Sequence, residues 1–206
     1  MGGPRRADEP EGTDTDSGWH AHTAPGCWRG GRTQVKVTAA TEDDLPAIVG
    51  ILNYSAANSI AHFDTRPVSV ASRRGWFGQF SATGPYRLLV ARRGDEVLGY
   101  ACSQRYRDHE AFRETVEVSI ALDVRSRGQA MGTALYRALF DSLALEPSVH
   151  VALAGIALPN DASVALHRKF GFTDVGTFRE YAIKNGQYIS SVWMQRLCHP
   201  APPPRQ

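Results

Sequence analysis

Residues 115 to 143, Thr-Val-Glu-Val-Ser-Ile-Ala-Leu-Asp-Val-Arg-Ser-Arg-Gly-Gln-Ala-Met-Gly-Thr-Ala-Leu-Tyr-Arg-Ala-Leu-Phe-Asp-Ser-Leu, restrict the possible folds more than any other stretch. Val116 to Leu122 is rich in β-branched residues and reads as a strand, with Glu117 embedded in it. A basic, Gly-containing turn runs from Arg125 to Gly132. Beyond it Met131, Leu135, Leu139 and Leu143 recur four apart, on one face of a helix. Strand, turn and helix together bring free backbone N–H groups and a helix N-terminus to one spot, which suits an anionic phosphate group.

The remaining chain supplies a frame around that unit. Residues 1 to 34 are Gly, Pro, Asp, Glu, Arg, Ser and Thr with almost no periodic apolar content and are expected to be a disordered tail. His20, His22 and Cys27 within it match no zinc-ligand spacing, so no metal is expected. The folded domain is expected over 35–197, followed by a Pro-rich tail at 198–206. Val35 to Thr38 reads as a strand, Thr41 as a helix cap, and Leu45, Ile48, Val49 and Leu52 as a helical face. A second helix is expected over Ser69 to Phe80, then strands at Leu88 to Ala91 and Val97 to Gln104. After the central unit come a strand at Val149 to Ile156, a short helix opened by Asn160 or Asp161 and closed by Gly171, and two strands around Asn185-Gly186. The order β-α-α-β-β-β-α-β-α-β-β implies an α/β (α+β) sandwich with a mixed central sheet flanked by helices.

Bulk properties exclude some functions. A net charge of +2 gives no electrostatic case for nucleic acid. No apolar run reaches the roughly 20 residues of a membrane span, and the N-terminus lacks a secretory apolar core. Three dispersed cysteines argue against a disulfide framework and for a cytoplasmic setting.

The turn Arg127-Gly-Gln-Ala-Met-Gly132 lacks the third glycine of a dinucleotide fingerprint and the Gly-Lys-Ser/Thr of a triphosphate loop. It resembles the acetyl-CoA signature of the Gcn5-related N-acetyltransferase superfamily, Gln/Arg-x-x-Gly-x-Gly/Ala. Leu158-Pro-Asn-Asp-Ala-Ser-Val-Ala-Leu-His-Arg-Lys-Phe-Gly-Phe172 looks like that superfamily's second signature, in the form found in the phosphinothricin acetyltransferase branch. Glu117, just before Val118-Ser-Ile-Ala-Leu122, fits the same branch, and the likeness spans roughly 35 to 197.

The resemblance implies acetyl-CoA as co-substrate. Its pyrophosphate would lie on Arg127, Gly128, Gln129, Ala130, Met131, Gly132 and Thr133, with Arg125 adding charge, and its pantetheine arm beside Ile120, Ala121, Leu122 and Asn160. Gly132 would let a phosphate approach the backbone, and the methyl of Ala130, where the branch has Gly, is tolerable at negative φ. Glu117 would be the general base, its alternatives being a solvated sheet position or pairing with Arg113. His167 would stand near the CoA sulfur and either protonate the departing thiolate or orient the thioester, its alternative being a satisfied or exposed helix-face histidine. Asn160 reads equally well as a helix cap, and Cys102 as a small core residue.

The acceptor side is expected to use Phe63, Arg107, His109, Phe112 and Thr115. Thr115 and Glu117 match the branch and Arg107 keeps its charge, whereas His109 replaces Arg and Phe112 replaces Tyr. A small amino-acid-like amine is the implied acceptor, with phosphinothricin itself disfavoured by the lost cation and hydroxyl. Relatives in this branch imply a homodimer. An acyl-CoA-binding sensor and a peptide or protein N-acetyltransferase remain open as other classes.

Overall fold

The computed structural model describes residues 35–199; both expected tails, but for Cys198 and His199, lie outside them, as do His20, His22 and Cys27. Seven strands, β1 (Lys36–Ala39), β2 (Arg87–Arg93), β3 (Glu96–Arg105), β4 (Thr115–Leu122), β5 (Val151–Leu158), β6 (Thr173–Lys184) and β7 (Gln187–Leu197), form one sheet in the order β1-β2-β3-β4-β5-β7-β6. Only β4 and β5 run parallel; every other neighbouring pair is antiparallel. The sheet is mixed because a helix, α3 (Met131–Leu143), crosses between β4 and β5, as parallel neighbours require.

Each face of the sheet has its own core. On one, Leu135, Tyr136, Leu139 and Leu143 of α3 pack against Val116, Val118, Ala154, Phe172 and Met194, all buried. On the other, Ile48, Ile51 and Leu52 of α1 (Leu45–Asn58) meet Val90, Tyr100 and Cys102, with Trp76 and Phe77 of α2 (Val70–Phe77) alongside. Complete burial of one such leucine stabilises the fold by about 1.5–3 kcal/mol, so the four-residue stripe on α3 is a main anchor of its sheet face.

Local chemistry sets the ends of these elements. Ser69 caps α2 by accepting from Ser72 N–H at 3.1 Å. Asn160 does the same for α4 (Asp161–Lys169) through Ser163 N–H at 3.2 Å. Asn185 and Gly186 have φ of 51° and 75°, the left-handed pair that a two-residue hairpin with the sheet's twist demands. Val149, expected in a strand, instead donates to Glu146 O in a turn; it is buried, but β5 begins at Val151, where pairing with Thr115 starts.

One feature of the register makes the site. β4 and β5 are paired only from Thr115/Val151 to Glu117/Leu153, although each strand continues five residues further. Past Glu117 the two strands splay apart. The facing edges of residues 118–122 and 154–158 therefore lack a strand partner across the gap.

Candidate active site

A cavity of about 500 Å³ fills the gap and passes through the sheet. Val118 to Leu122 and Gly155 to Ala157 form its two sides, Ser59 to His62 its wall on the α1 face, and Tyr136, Leu166 and His167 its floor on the α3 face. Arg127, Gly128 and Asn160 stand at one mouth. Thus Ile120, Ala121, Leu122, Arg127, Gly128, Asn160 and His167, far apart in the chain, share one cavity.

At the turn, Gly128 has φ +76° and Ala130 φ 59°. Ala130 is the cap residue of α3, and no side chain caps that helix end. The first-turn N–H groups are therefore open to an outside acceptor, as an anion site requires. The condition expected for Ala130, negative φ, is not met: its methyl sits in the left-handed region, which costs about 1–2 kcal/mol for a residue with a Cβ. Gly132 also differs from expectation. It is buried, and a Cβ there would lie 3.1 Å from Leu166 Cδ2 and 3.6 Å from Ile120 Cδ1. Its missing side chain makes room for Leu166 of α4 and Ile120 of β4.

The basic residues divide likewise. Arg125 is bound to Asp123 at 2.9 Å and Glu96 at 3.1 Å, so its charge is balanced within the protein. Arg127 lines the cavity. Gln129 braces the turn, donating to Arg125 O at 2.8 Å and accepting from Arg93 at 3.1 Å. Thr133 accepts from Lys169 Nζ at 3.4 Å, and Met131 is buried in the α3 core.

Glu117 occupies the last paired position before the split, with Gln104 and Leu153 as its cross-strand neighbours. Val116 and Val118 point into the α3 core, so Glu117 faces the α1 side. It is half-buried, and desolvation alone pushes its carboxyl above the ordinary carboxylate range. Arg113 pairs with Glu110 and Glu114 rather than with Glu117. Cys102 is fully buried and its thiol is pushed up to about 12, first by desolvation, so it remains a core thiol.

His167 is 3% exposed with both ring nitrogens engaged. Nδ1 lies 2.8 Å from Ser163 O, an acceptor only, so Nδ1 carries the proton; Nε2 then accepts from Tyr136 Oη at 2.7 Å. Burial lowers its pKa, favouring this neutral form. An imidazole so held reaches a departing thiolate only by giving up the Tyr136 bond.

The expected acceptor residues lie on the Glu117 face, outside the cavity lining. Arg107 stacks on the rings of Tyr106 and Phe112, at 5.1 and 5.8 Å to their centroids. His109 caps a short turn through Ala111 N–H at 3.1 Å and meets Phe112 edge-on at 6.0 Å. Thr115 pairs with Val151 at the start of β4. Phe63 contacts Tyr181 at 6.0 Å. Four residues that sequence inspection missed, Tyr106, Trp193, Phe178 and Tyr181, join these into one run of ring contacts. Alternation in β7 was the available signal for Trp193; for the others no local pattern exists.

Lys184 was missed as well. It is 2% exposed, and its Nζ donates to Ser59 O at 2.6 Å and His62 O at 2.5 Å. Burial lowers its pKa, while Asp64 partly restores it. Through these bonds the β6–β7 hairpin holds the segment that walls the cavity. Among the described residues no cluster of His, Cys, Asp or Glu could hold a metal ion, and no helix is long and apolar enough to cross a membrane.

Residues 37–193 match the model of the acetyltransferase (GNAT) domain. A phosphinothricin N-acetyltransferase of Streptomyces coelicolor is 40% identical, over 81% of this chain and 98% of the relative. An L-methionine sulfoximine/L-methionine sulfone acetyltransferase of Pseudomonas paraeruginosa is 36% identical, over 74% and 88%. The fold is similar to a putative acetyltransferase from Salmonella typhimurium solved with its cofactor acetyl-CoA, with TM-score 0.77, 29% identity and coverage of 83% and 98%.

Proposed function

The chain belongs to the acetyltransferase (GNAT) domain family, and from that premise we propose that it transfers the acetyl group of acetyl-CoA to the primary amine of a small amino-acid-like acceptor. The observation that carries this is the strand split: β4 and β5 separate just after Glu117, opening a cavity between an uncapped helix N-terminus and a desolvated carboxylate.

Acetyl-CoA fits the residues present. The open N–H groups at the start of α3, with Arg127, suit its pyrophosphate, and the unpaired edge of residues 118–122 suits the amides of its pantetheine arm. When bound it supplies an activated thioester carbonyl and a thiolate leaving group. Glu117, its carboxyl raised toward neutrality by burial, takes the proton from the acceptor's ammonium, directly or through one water. Backbone N–H groups of 120–122 offset charge on the carbonyl oxygen. At the cavity floor the Tyr136 hydroxyl donates to His167 Nε2, and that hydroxyl proton is the one available to the departing thiolate. Lys184 keeps the 59–62 wall in place.

The proposal includes a cytoplasmic homodimer. Val175, Ile183, Tyr188 and Leu197, exposed on β6 and β7, favour self-association, which light scattering tests.

Titration calorimetry with acetyl-CoA, followed by thiol release over a panel of amines, amino acids and peptides, tests the activity. Binding followed by release with free amino acids is expected. Binding with no acceptor-dependent release would favour a sensor, and release with peptides alone a peptide acetyltransferase.

A further inference from the structure

Three polar groups on the α1 wall of the cavity have no partner within the protein. Ser55, near the end of α1, and Tyr100, in β3, are 8% and 4% exposed, and both line the cavity. Among the described residues the unpaired polar side-chain atoms sealed from solvent are Arg73 Nε, Arg92 Nε and Trp193 Nε1. Neither hydroxyl is one of them, so the little surface each keeps opens on the cavity it lines. His62 supplies the third group. Its Nδ1 accepts from Asp64 N–H at 3.2 Å, so the neutral ring carries its proton on Nε2, which faces no protein acceptor. Buried polar groups nearly always find a partner, so three bare donors on one wall mark a place where a ligand supplies it.

The donors are held from behind. Arg73 Nη2 donates to Asp64 Oδ2 at 2.5 Å, which fixes the residue that orients His62. The same guanidinium lies 5.7 Å from the Trp76 ring, and Trp76 meets Tyr100 edge-on at 6.4 Å. Lys184 fixes the carbonyl of His62 from β6. Asp64 neutralises Arg73, whereas Lys184 bonds only to carbonyls, so no acid at hydrogen-bonding distance offsets its charge. The wall is therefore rich in donors and electropositive.

The geometry of a thioester directs its acyl group to this wall. The carbonyl carbon is planar and carries three substituents. Sulfur lies at the Tyr136 floor on the α3 face, and oxygen lies at the N–H groups of 120–122. The third substituent then points to the remaining side, where Ser55, Tyr100 and His62 stand. Tyr100 is directly opposite Ala121 across the β3–β4 pair, and that small side chain leaves the space before the hydroxyl open.

We propose that the α1 wall is an acyl pocket for a short chain ending in a carboxylate, so that the protein also transfers the acyl group of a dicarboxylic acid thioester of CoA. Ser55, Tyr100 and His62 donate to the terminal carboxylate, and Lys184 offsets its charge from behind. The bond chemistry is that of acetyl transfer. The C–N bond forms and the C–S bond breaks; of the two protons leaving the ammonium nitrogen, one ends on sulfur and the other in solvent. An acetyl methyl satisfies none of the three donors. This inference rests on the acetyl-transfer reading above for the position of the thioester.

The test measures thiol release from acetyl-, butyryl- and succinyl-CoA with one amine acceptor. Succinyl-CoA is expected to exceed butyryl-CoA, of equal chain length without the carboxylate, by about tenfold or more in kcat/KM. Tyr100→Phe and Ser55→Ala remove only hydroxyls, and each should lower the succinyl-to-acetyl ratio of kcat/KM by about tenfold. General damage to the fold lowers both substrates and does not mimic that change. Equal or better use of butyryl-CoA overturns this inference alone, as does release from acetyl-CoA with none from succinyl-CoA, or an unaltered ratio in both variants. No release from any thioester overturns the acetyl-transfer reading with it.

Discussion

The mouth of the cavity at the turn and the ring-lined face beside Glu117 are built by opposite means. The mouth at the turn is backbone: eight residues, 125–132, two of them left-handed, leading into an uncapped helix. The ring-lined face, outside the cavity lining, is side chains from five separate segments, Phe63, Tyr106, Glu117, Phe178 with Tyr181, and Trp193, assembled over the sheet. Backbone amides suit a ligand part that never varies, since their positions do not depend on side-chain identity. A face made of side chains can change its ligand by single substitutions while the sheet beneath it stays intact.

The largest expected effect lies between the two. Glu117→Gln should lower turnover by about 10²–10⁴-fold while acetyl-CoA affinity is unchanged; loss of affinity with normal turnover would put Glu117 on the cofactor side instead. The base works deprotonated, and burial raises its pKa. The parent's kcat/KM should therefore climb with pH through that raised value and level off above it, a limb the variant lacks. Stability carries the opposite sign. The folded state keeps the proton to higher pH than the unfolded chain, so ionisation weakens the fold as pH rises from the ordinary carboxylate range through the raised value. Glu117→Gln should melt higher than the parent at neutral pH and no higher in acid.

At the mouth, Gly132→Val should destabilise by about 1–3 kcal/mol in thermal melts, because the new side chain meets Leu166 and Ile120. Acetyl-CoA binding should weaken through displacement of α4. A variant with unchanged melting that has lost binding would return Gly132 to direct phosphate contact.

Toward the ring-lined face, Lys184→Met strips the donor from Ser59 O and His62 O, a loss of about 1–3 kcal/mol. The KM for the acceptor should rise and acetyl-CoA affinity hold, which separates the two most directly. The smallest effect is expected for Ala130→Gly. Relief of the left-handed methyl, less the freedom glycine adds to the unfolded chain, should give a net gain of roughly 0.5–1 kcal/mol in chemical denaturation. A loss would mean that the methyl makes contacts that outweigh its strain.

The sequence by itself determined the elements and their order, because capping residues, the left-handed pair Asn185-Gly186 and the four-residue stripe on α3 act within one or two turns of chain. It also located the turn at 125–132 and picked out Glu117, an ionisable residue in an apolar strand. Tertiary structure alone decided that Glu117 marks the point where β4 and β5 part, since pairing depends on a strand more than 30 residues away. It decided the sign of φ at Ala130, the packing role of Gly132 and the double hydrogen bonding of His167. It also brought Tyr106 and Trp193 together over two strands, a meeting that requires a glycine at 155 in the strand between. Such facts depend on which side chains share a volume, and no period in the chain encodes that.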